Sequence, residues 1–119
     1  DLPPGLEAPA AEILKILAES GLAPPLPVEL QATPNHEAAY KFLARTRQII
    51  PLDPKVTLGG QIFQATLEQV RNYIETNGQA TASELRQHLN TSRKVIMPLL
   101  ERLDRDKVTR REGDFRTLV

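Results

Sequence analysis

Apolar residues recur at helical spacing in four stretches of the chain, and polar or turn-forming residues separate these stretches. Intervals of three and four place such residues on one side of a helix. Gly21 and Gly78 follow the first and third stretches and are suited to end a helix. The pattern therefore predicts four amphipathic helices, whose apolar faces are Ile13, Leu14, Ile16 and Leu17; Ala39, Phe42 and Leu43; Leu67, Val70, Tyr73 and Ile74; and Ile96, Leu99, Leu100 and Leu103.

The first half of the chain contains three further signals. "PVEL" starts at Pro27, and a proline in the first turn predicts a short helix there. Asn35 is the predicted cap of the helix "NHEAAYKFLART". The segment "QIIPLDPKVTL" then predicts two short strands around a turn at Asp53 and Pro54. The first half is thus expected to contain three helices followed by a β-hairpin.

The second half repeats this order. "TASELRQHL" predicts a short helix capped by Thr81 or Ser83, with only a partial capping box. "TSRKVIMPLLERLDRD" predicts a longer third helix, and "VTRREGDFRTLV" predicts a hairpin with Gly113 in its turn. Three helices followed by a hairpin, twice, is typical of tandem winged-helix domains. The expected fold class is therefore mainly α with small β-hairpins, an α+β fold.

The repeat places a first winged-helix domain at residues 1–60 and a second at 61–119, with the boundary between Leu58 and Thr66. Units of about 55 residues are only marginally stable alone. We therefore expect them to pack together or to share a continuous helix across residues 60–77. A single irregular α+β domain is the alternative, but each half supplies its own glycine-stopped helix and its own hairpin.

Composition excludes several kinds of site. The chain has 119 residues and no cysteine, so disulfides and thiolate metal sites are absent. His36 and His88 are far apart and are expected at the surface or at helix ends rather than as metal ligands. A GxxxxGK[ST] phosphate loop and a run of about 18 apolar residues are both missing. We expect no enzyme activity, cofactor or metal in this chain, and its start at Asp1 suggests part of a longer protein.

Charge is distributed unevenly, although the formal net charge is zero. Residues 1–65 carry five cations and seven acids, whereas residues 92–119 carry eight cations and five acids. Such asymmetry between the halves of a chain is a hint of nucleic-acid contact. The five aromatic residues are too few to suggest a base-stacking platform.

The third helix of the second half has the pattern of a recognition helix whose first turn is basic. Arg93, Lys94, Met97, Glu101 and Asp104 are predicted to point outward. The two acids would be repelled by a nucleic-acid groove. We therefore expect the helix to present its start rather than its length, because free amides and the helix dipole favour an anion there. Ordinary solvation of the cations is the alternative.

The predicted anion site consists of the helix start and the wing. Ser92, Arg93 and Lys94 form the first part. Arg110, Arg111 and Arg116 form the second part, around the turn at Gly113. Strand alternation puts Arg110 and Arg111 on opposite faces, so at most one of them faces a ligand together with Arg116. The first half has Asn35, His36 and Glu37 at the matching helix start, which indicates a scaffold or spacer.

The segment "TSRKVIMPLLERLDR" with "VTRREGDFRTL" and, upstream, "ETNGQATASELR" resembles the C-terminal region of the bacterial selenocysteine-specific elongation factors (SelB). The resemblance covers the second half well and the first half only by pattern. In that family the C-terminus is a series of winged-helix domains, the last of which binds the tip of an mRNA hairpin, the selenocysteine insertion (SECIS) element. The GTP-binding domain of these GTPases lies upstream, which agrees with the missing phosphate loop.

The resemblance implies a cytoplasmic, monomeric RNA-binding fragment without cofactor, metal or membrane partner. Its partner would be an mRNA hairpin, with the ribosome reached through the full-length protein. The implied RNA contacts are Ser92, Arg93, Lys94, Arg110, Arg111, Gly113 and Arg116. Two other classes stay open: a DNA-binding winged-helix regulator and a winged helix that docks on an acidic protein.

Overall fold

A computed structural model describes residues 2–119 of the chain. The helices are α1 (Glu7–Ser20), a 3-10 helix (Pro27–Gln31), α2 (Pro34–Arg45), α3 (Gly60–Asn77), α4 (Ala82–His88) and α5 (Arg93–Arg105). The strands are β1 (Ile49–Asp53), β2 (Val56–Gly59), β3 (Ala80–Thr81), β4 (Thr109–Glu112) and β5 (Phe115–Leu118). The predicted fold class, mainly helical with small antiparallel sheets, is confirmed.

The chain divides into two compact units, the first ending at Phe63 and the second comprising Gln64–Val119. In the first unit β1 pairs with β2 alone, whereas in the second β5 lies between β3 and β4. The expected helix across residues 60–77 is present as α3. The assignment of the first unit to the winged-helix class stays a prediction.

The core of the first unit lies between α1 and α2. Ile13 and Leu17 of α1 are buried, as are Ala39 and Leu43 of α2. Ile16, which the pattern placed on the apolar face, is 42% exposed. Four apolar positions span a wider arc than the part of α1 that its neighbours cover, so the outermost member faces solvent.

The predicted cap of α2 is wrong, whereas Thr81, one of the two caps predicted for α4, is confirmed. Thr33, not Asn35, caps α2, because its Oγ1 accepts the His36 amide at 3.1 Å and Asn35 lies inside the helix. Thr81 caps α4 with a complete capping box rather than a partial one. Its Oγ1 accepts the Glu84 amide at 3.1 Å, and its own amide donates to Glu84 Oε1 at 2.8 Å. The required spacing of three residues runs from Thr81, not from Ser83.

Helix α5 provides the core of the second unit, as predicted. All four residues of its expected apolar face are buried, together with Val95 and Pro98; they are Ile96, Leu99, Leu100 and Leu103. Lys107, just beyond the helix, has a φ of 62°, a left-handed conformation in which its amide donates to the carbonyl of Asp104. This turn ends α5 and leads the chain into β4. The wing, β4 with β5, therefore starts one turn after the last residues of α5.

Candidate nucleic-acid interface

The start of α5 holds two exposed cations. Ser92 is the N-cap, and its Oγ accepts the Val95 amide at 3.3 Å. Arg93 and Lys94 follow as the first two helical residues and are exposed. Among the described residues 2–119, neither side chain makes a hydrogen bond or an ion pair. Because the helix dipole is positive at this end, each cation costs on the order of 0.3–1 kcal/mol of stability unless an anion is near.

The register of the wing decides which side chains share a face. Arg110 pairs with Thr117 and Arg111 pairs with Arg116 across the two strands. Directly opposed residues in an antiparallel pair point to the same side. Arg110 and Arg111 therefore lie on opposite faces, as strand alternation predicted, and Arg111 shares its face with Arg116.

Arg116 is not exposed, although the sequence predicted that it would be. Its residue exposure is 2%, and its guanidinium pairs with the Asp104 carboxylate, with Nη2 at 2.9 Å and Nε at 3.3 Å from Oδ2. The physical reason is that β5 is the central strand, flanked by β3 and β4. Strand alternation shows which residues share a face but not which face another element covers. Arg116 therefore has a protein partner in Asp104, and its predicted contact with a ligand stays a prediction.

Asp104 likewise does not point freely outward. Its side chain is 25% exposed and accepts a hydrogen bond from Thr109 Oγ1 at 2.6 Å in addition to the Arg116 contacts. Helical spacing correctly predicted the side of α5 on which Asp104 lies, but the wing packs against that side of the helix. Glu101, one turn earlier, is exposed as predicted, whereas Met97 is partly buried.

The exposed arginines of the wing have weak local contacts. Arg110 Nε lies 3.8 Å from Glu112 Oε2, and Arg111 Nε donates to the carbonyl of Gly113 at 3.1 Å. Gly113 has a φ of 64°, which suits the tight turn between the strands. Glu112 and Asp114 flank that turn, and the Arg111 guanidinium reaches it, so the tip of the wing carries charges of both signs.

A shallow depression of about 420 Å³ lies at the base of the wing. Its lining includes Lys107, Arg110 and Arg111, here called the wing-base cluster, together with the Asp104 and Thr109 side chains and Val119. Sequence reasoning missed Lys107. The signal for it was a cation in the short connection between a predicted recognition helix and its wing. Because Arg110 and Arg111 lie on opposite faces of the wing, the depression can present Lys107 and one of these arginines to an anion, beside the already paired Asp104 carboxylate.

The two basic clusters lie towards opposite ends of α5. Ser92, Arg93 and Lys94, here called the helix-start cluster, lie at the start of α5, whose 13 residues span about 20 Å. Lys107 follows the far end. A ligand that touches both clusters must therefore extend over roughly the length of this helix, which is several nucleotides rather than a single free phosphate.

Residues 72–118 match the model of the family described as "Elongation factor SelB, winged helix". The second unit is therefore similar to the SelB winged-helix family. The match covers α4, α5 and the whole wing, and thus every residue of both basic clusters. No curated protein matches the chain.

Among solved structures, the chain is similar to the mRNA-binding domain of elongation factor SelB from E. coli, determined in complex with SECIS RNA. The TM-score is 0.64 with 21% identity, over 71% of this chain and 70% of that chain. At this identity the likeness establishes the fold. The resemblance of this chain to the SelB C-terminal region is thereby confirmed.

The remaining chemistry of the described residues is sparse. His36 bridges α1 and α2, with Nε2 2.6 Å from Glu12 Oε2, and His88 packs on Tyr73 with ring centroids 4.7 Å apart. Residues 2–119 contain no group of three or more potential metal ligands. None of the described helices is long and apolar enough to cross a membrane.

Proposed function

We propose that the second unit binds the tip of a SECIS-type mRNA hairpin and that the chain is part of a selenocysteine-specific elongation factor. The observation that carries this proposal is the helix-start cluster. Arg93 and Lys94 are exposed and unpaired among residues 2–119 at the positive end of α5, where an anion would offset their unfavourable position. The SelB-type winged helix supplies the structural context.

A compact RNA tip agrees better with the charges than a long duplex does. Residues 64–119 carry ten cations and eight acids, so the unit has only a small positive excess. Arg116, Arg102 and Arg71 of these cations already pair with acids. Glu101 is exposed on α5 and would be repelled if the helix lay along a groove lined by phosphates. RNA loops expose unpaired bases together with few phosphates, which suits a small site.

The contact residues have different roles in this proposal. Lys94 is a point charge suited to a phosphate, whereas the planar guanidinium of Arg93 can make two hydrogen bonds to a guanine edge. Ser92 holds the first turn in place through its cap. One of Arg110 and Arg111, which lie on opposite faces of the wing, contacts the RNA backbone, and the left-handed Gly113 keeps the wing turn tight.

The direct test is a titration of the whole chain by fluorescence anisotropy. The ligands are a SECIS-type hairpin, a hairpin with the same stem and a changed loop, and duplex DNA of equal length. We expect the first ligand to bind most tightly. Equal competition by duplex DNA would favour a DNA-binding regulator, and failure of all three ligands to bind would favour docking on an acidic protein.

Substitutions locate the site within the unit. Lys94→Ala should weaken the binding of both hairpins equally. The slope of log K against log salt concentration should fall in magnitude by about 0.7–0.9 for one lost phosphate contact. Arg93→Ala should reduce the binding free energy by about 1–3 kcal/mol for the SECIS-type hairpin and by little for the hairpin with the changed loop. Charge reversals at Lys15, Lys41 and Lys55 in the first unit are controls. A loss in these controls as large as that of Lys94→Ala would show that the attraction is diffuse.

A further inference from the structure

We propose that Asp104, Thr109 and Arg116 form a clamp that sets the position of the wing, so that they act as positioning residues for RNA recognition rather than as contacts. This inference rests on the proposed function. Its physical basis is that one carboxylate in the last turn of α5 bonds to both strands of the wing. Thr109 is the first residue of β4, and Arg116 lies in β5.

The wing is joined to the rest of the second unit by a short backbone ladder and by packing of β4 on α5. β4 is an edge strand and pairs only with β5. β5 pairs on its other side with β3, over just two residue pairs, Ala80 with Arg116 and Thr81 with Phe115. Such a short ladder leaves the hairpin free to twist about β5. The clamp removes that freedom, because it fixes β4 and β5 to the same helical turn.

Burial shields one side of the clamp from solvent. Thr109 is 1% exposed and the Arg116 side chain is 3% exposed, whereas the Asp104 side chain is 25% exposed, so water and salt reach this ion pair only from the Asp104 side. Arg116 Nε and Nη2 both face the carboxylate, which fixes the orientation of the guanidinium as well as its distance. An exposed phosphate contact would instead depend strongly on salt.

The clamp acts directly on the two exposed arginines of the wing. Arg110 follows Thr109 in β4, and Arg111 is the cross-strand partner of Arg116. Movement of the clamped residues would therefore carry both arginines with it. The clamp thus fixes where the wing-base cluster lies relative to the helix-start cluster, and an extended ligand has to match that separation.

A double-mutant cycle tests this mechanism, because two residues acting through one element are not additive. Arg116→Lys keeps the charge but loses the two-nitrogen contact, and Thr109→Val removes only the hydroxyl. Both should retain a cooperative unfolding transition and bind the SECIS-type hairpin about three- to tenfold more weakly. Arg110→Ala should weaken binding in the parent chain but add little to Arg116→Lys. Lys94→Ala should reduce the affinity for the hairpin by the same factor in the parent chain and in Arg116→Lys.

Amide hydrogen exchange of the free chain gives a readout that needs no RNA. In Thr109→Val the amides of β4 and β5 should exchange faster, while those of α3 and α4 stay unchanged. Full additivity of Arg110→Ala with Arg116→Lys, or parental affinity and parental exchange in both clamp variants, would overturn the clamp. Faster wing exchange without any preference for the hairpin would keep the clamp and refute the proposed function.

Discussion

Replacing Asp104 by alanine should destabilise the second unit much more than loss of any exposed carboxylate of α5. The substitution leaves the Arg116 guanidinium, 3% exposed, without its acceptor. Removing one partner of a buried ion pair costs about 3–5 kcal/mol. Asp104 itself is 25% exposed, so water can partly replace it, and we expect about 3 kcal/mol, near the lower end of that range.

This magnitude is decisive because the unit is small. The compact unit Gln64–Val119 is expected to have a free energy of unfolding of only about 3–8 kcal/mol, from about 0.05–0.15 kcal/mol per residue. Asp104→Ala should therefore unfold at a much lower urea concentration, with amide exchange in α5 and β5 approaching that of the unfolded chain. Far-UV circular dichroism follows the transition, and exchange in α2 reports separately on the first unit.

Glu101→Ala is the matched control, since Glu101 lies one turn earlier on the same helix and is exposed. Its unfolding free energy should change by less than about 0.5 kcal/mol, and its affinity for RNA should stay the same or rise slightly. Asp104→Leu combined with Arg116→Met should recover most of the stability, because it removes the unpaired charge as well. If Asp104→Ala is as stable as Glu101→Ala, the ion pair contributes nothing and the reasoning fails.

Two further predictions concern stability and are measured by urea or thermal unfolding. Gly60→Ala should destabilise the first unit by about 1–3 kcal/mol, because its Cβ would lie 3.0 Å from the carbonyl oxygen of Arg47. Gly59→Ala is its control and should cost little, since the nearest atom would be at an ordinary 3.6 Å. Thr81→Ala should cost about 0.5–2 kcal/mol by removing the cap of α4. Ser83→Ala should have almost no effect, and equal losses at both positions would contradict the assigned cap.

Local pattern predicted the helices and both hairpins of this chain, but not the short strand β3. The spacing of Ile96, Leu99, Leu100 and Leu103 predicted both the helix and its buried face, because the period of a helix is a property of the backbone alone. Both hairpins followed from short segments on either side of a predicted turn. The helix-start cluster was also accessible to sequence reasoning, since cap, first turn and exposure all depend on adjacent residues. Its contact with RNA stays a prediction.

Tertiary structure decided which residues the wing leaves free. The two-residue strand β3 is too short to produce a sequence pattern, yet it makes β5 a central strand. Periodicity gives the direction of a side chain relative to its own element, whereas burial depends on what packs against that direction. Arg116 was therefore predicted as an exposed contact, and Asp104 as a free outward acid. The fold brings them within 2.9 Å of each other across 12 positions of sequence, a distance that no local pattern encodes.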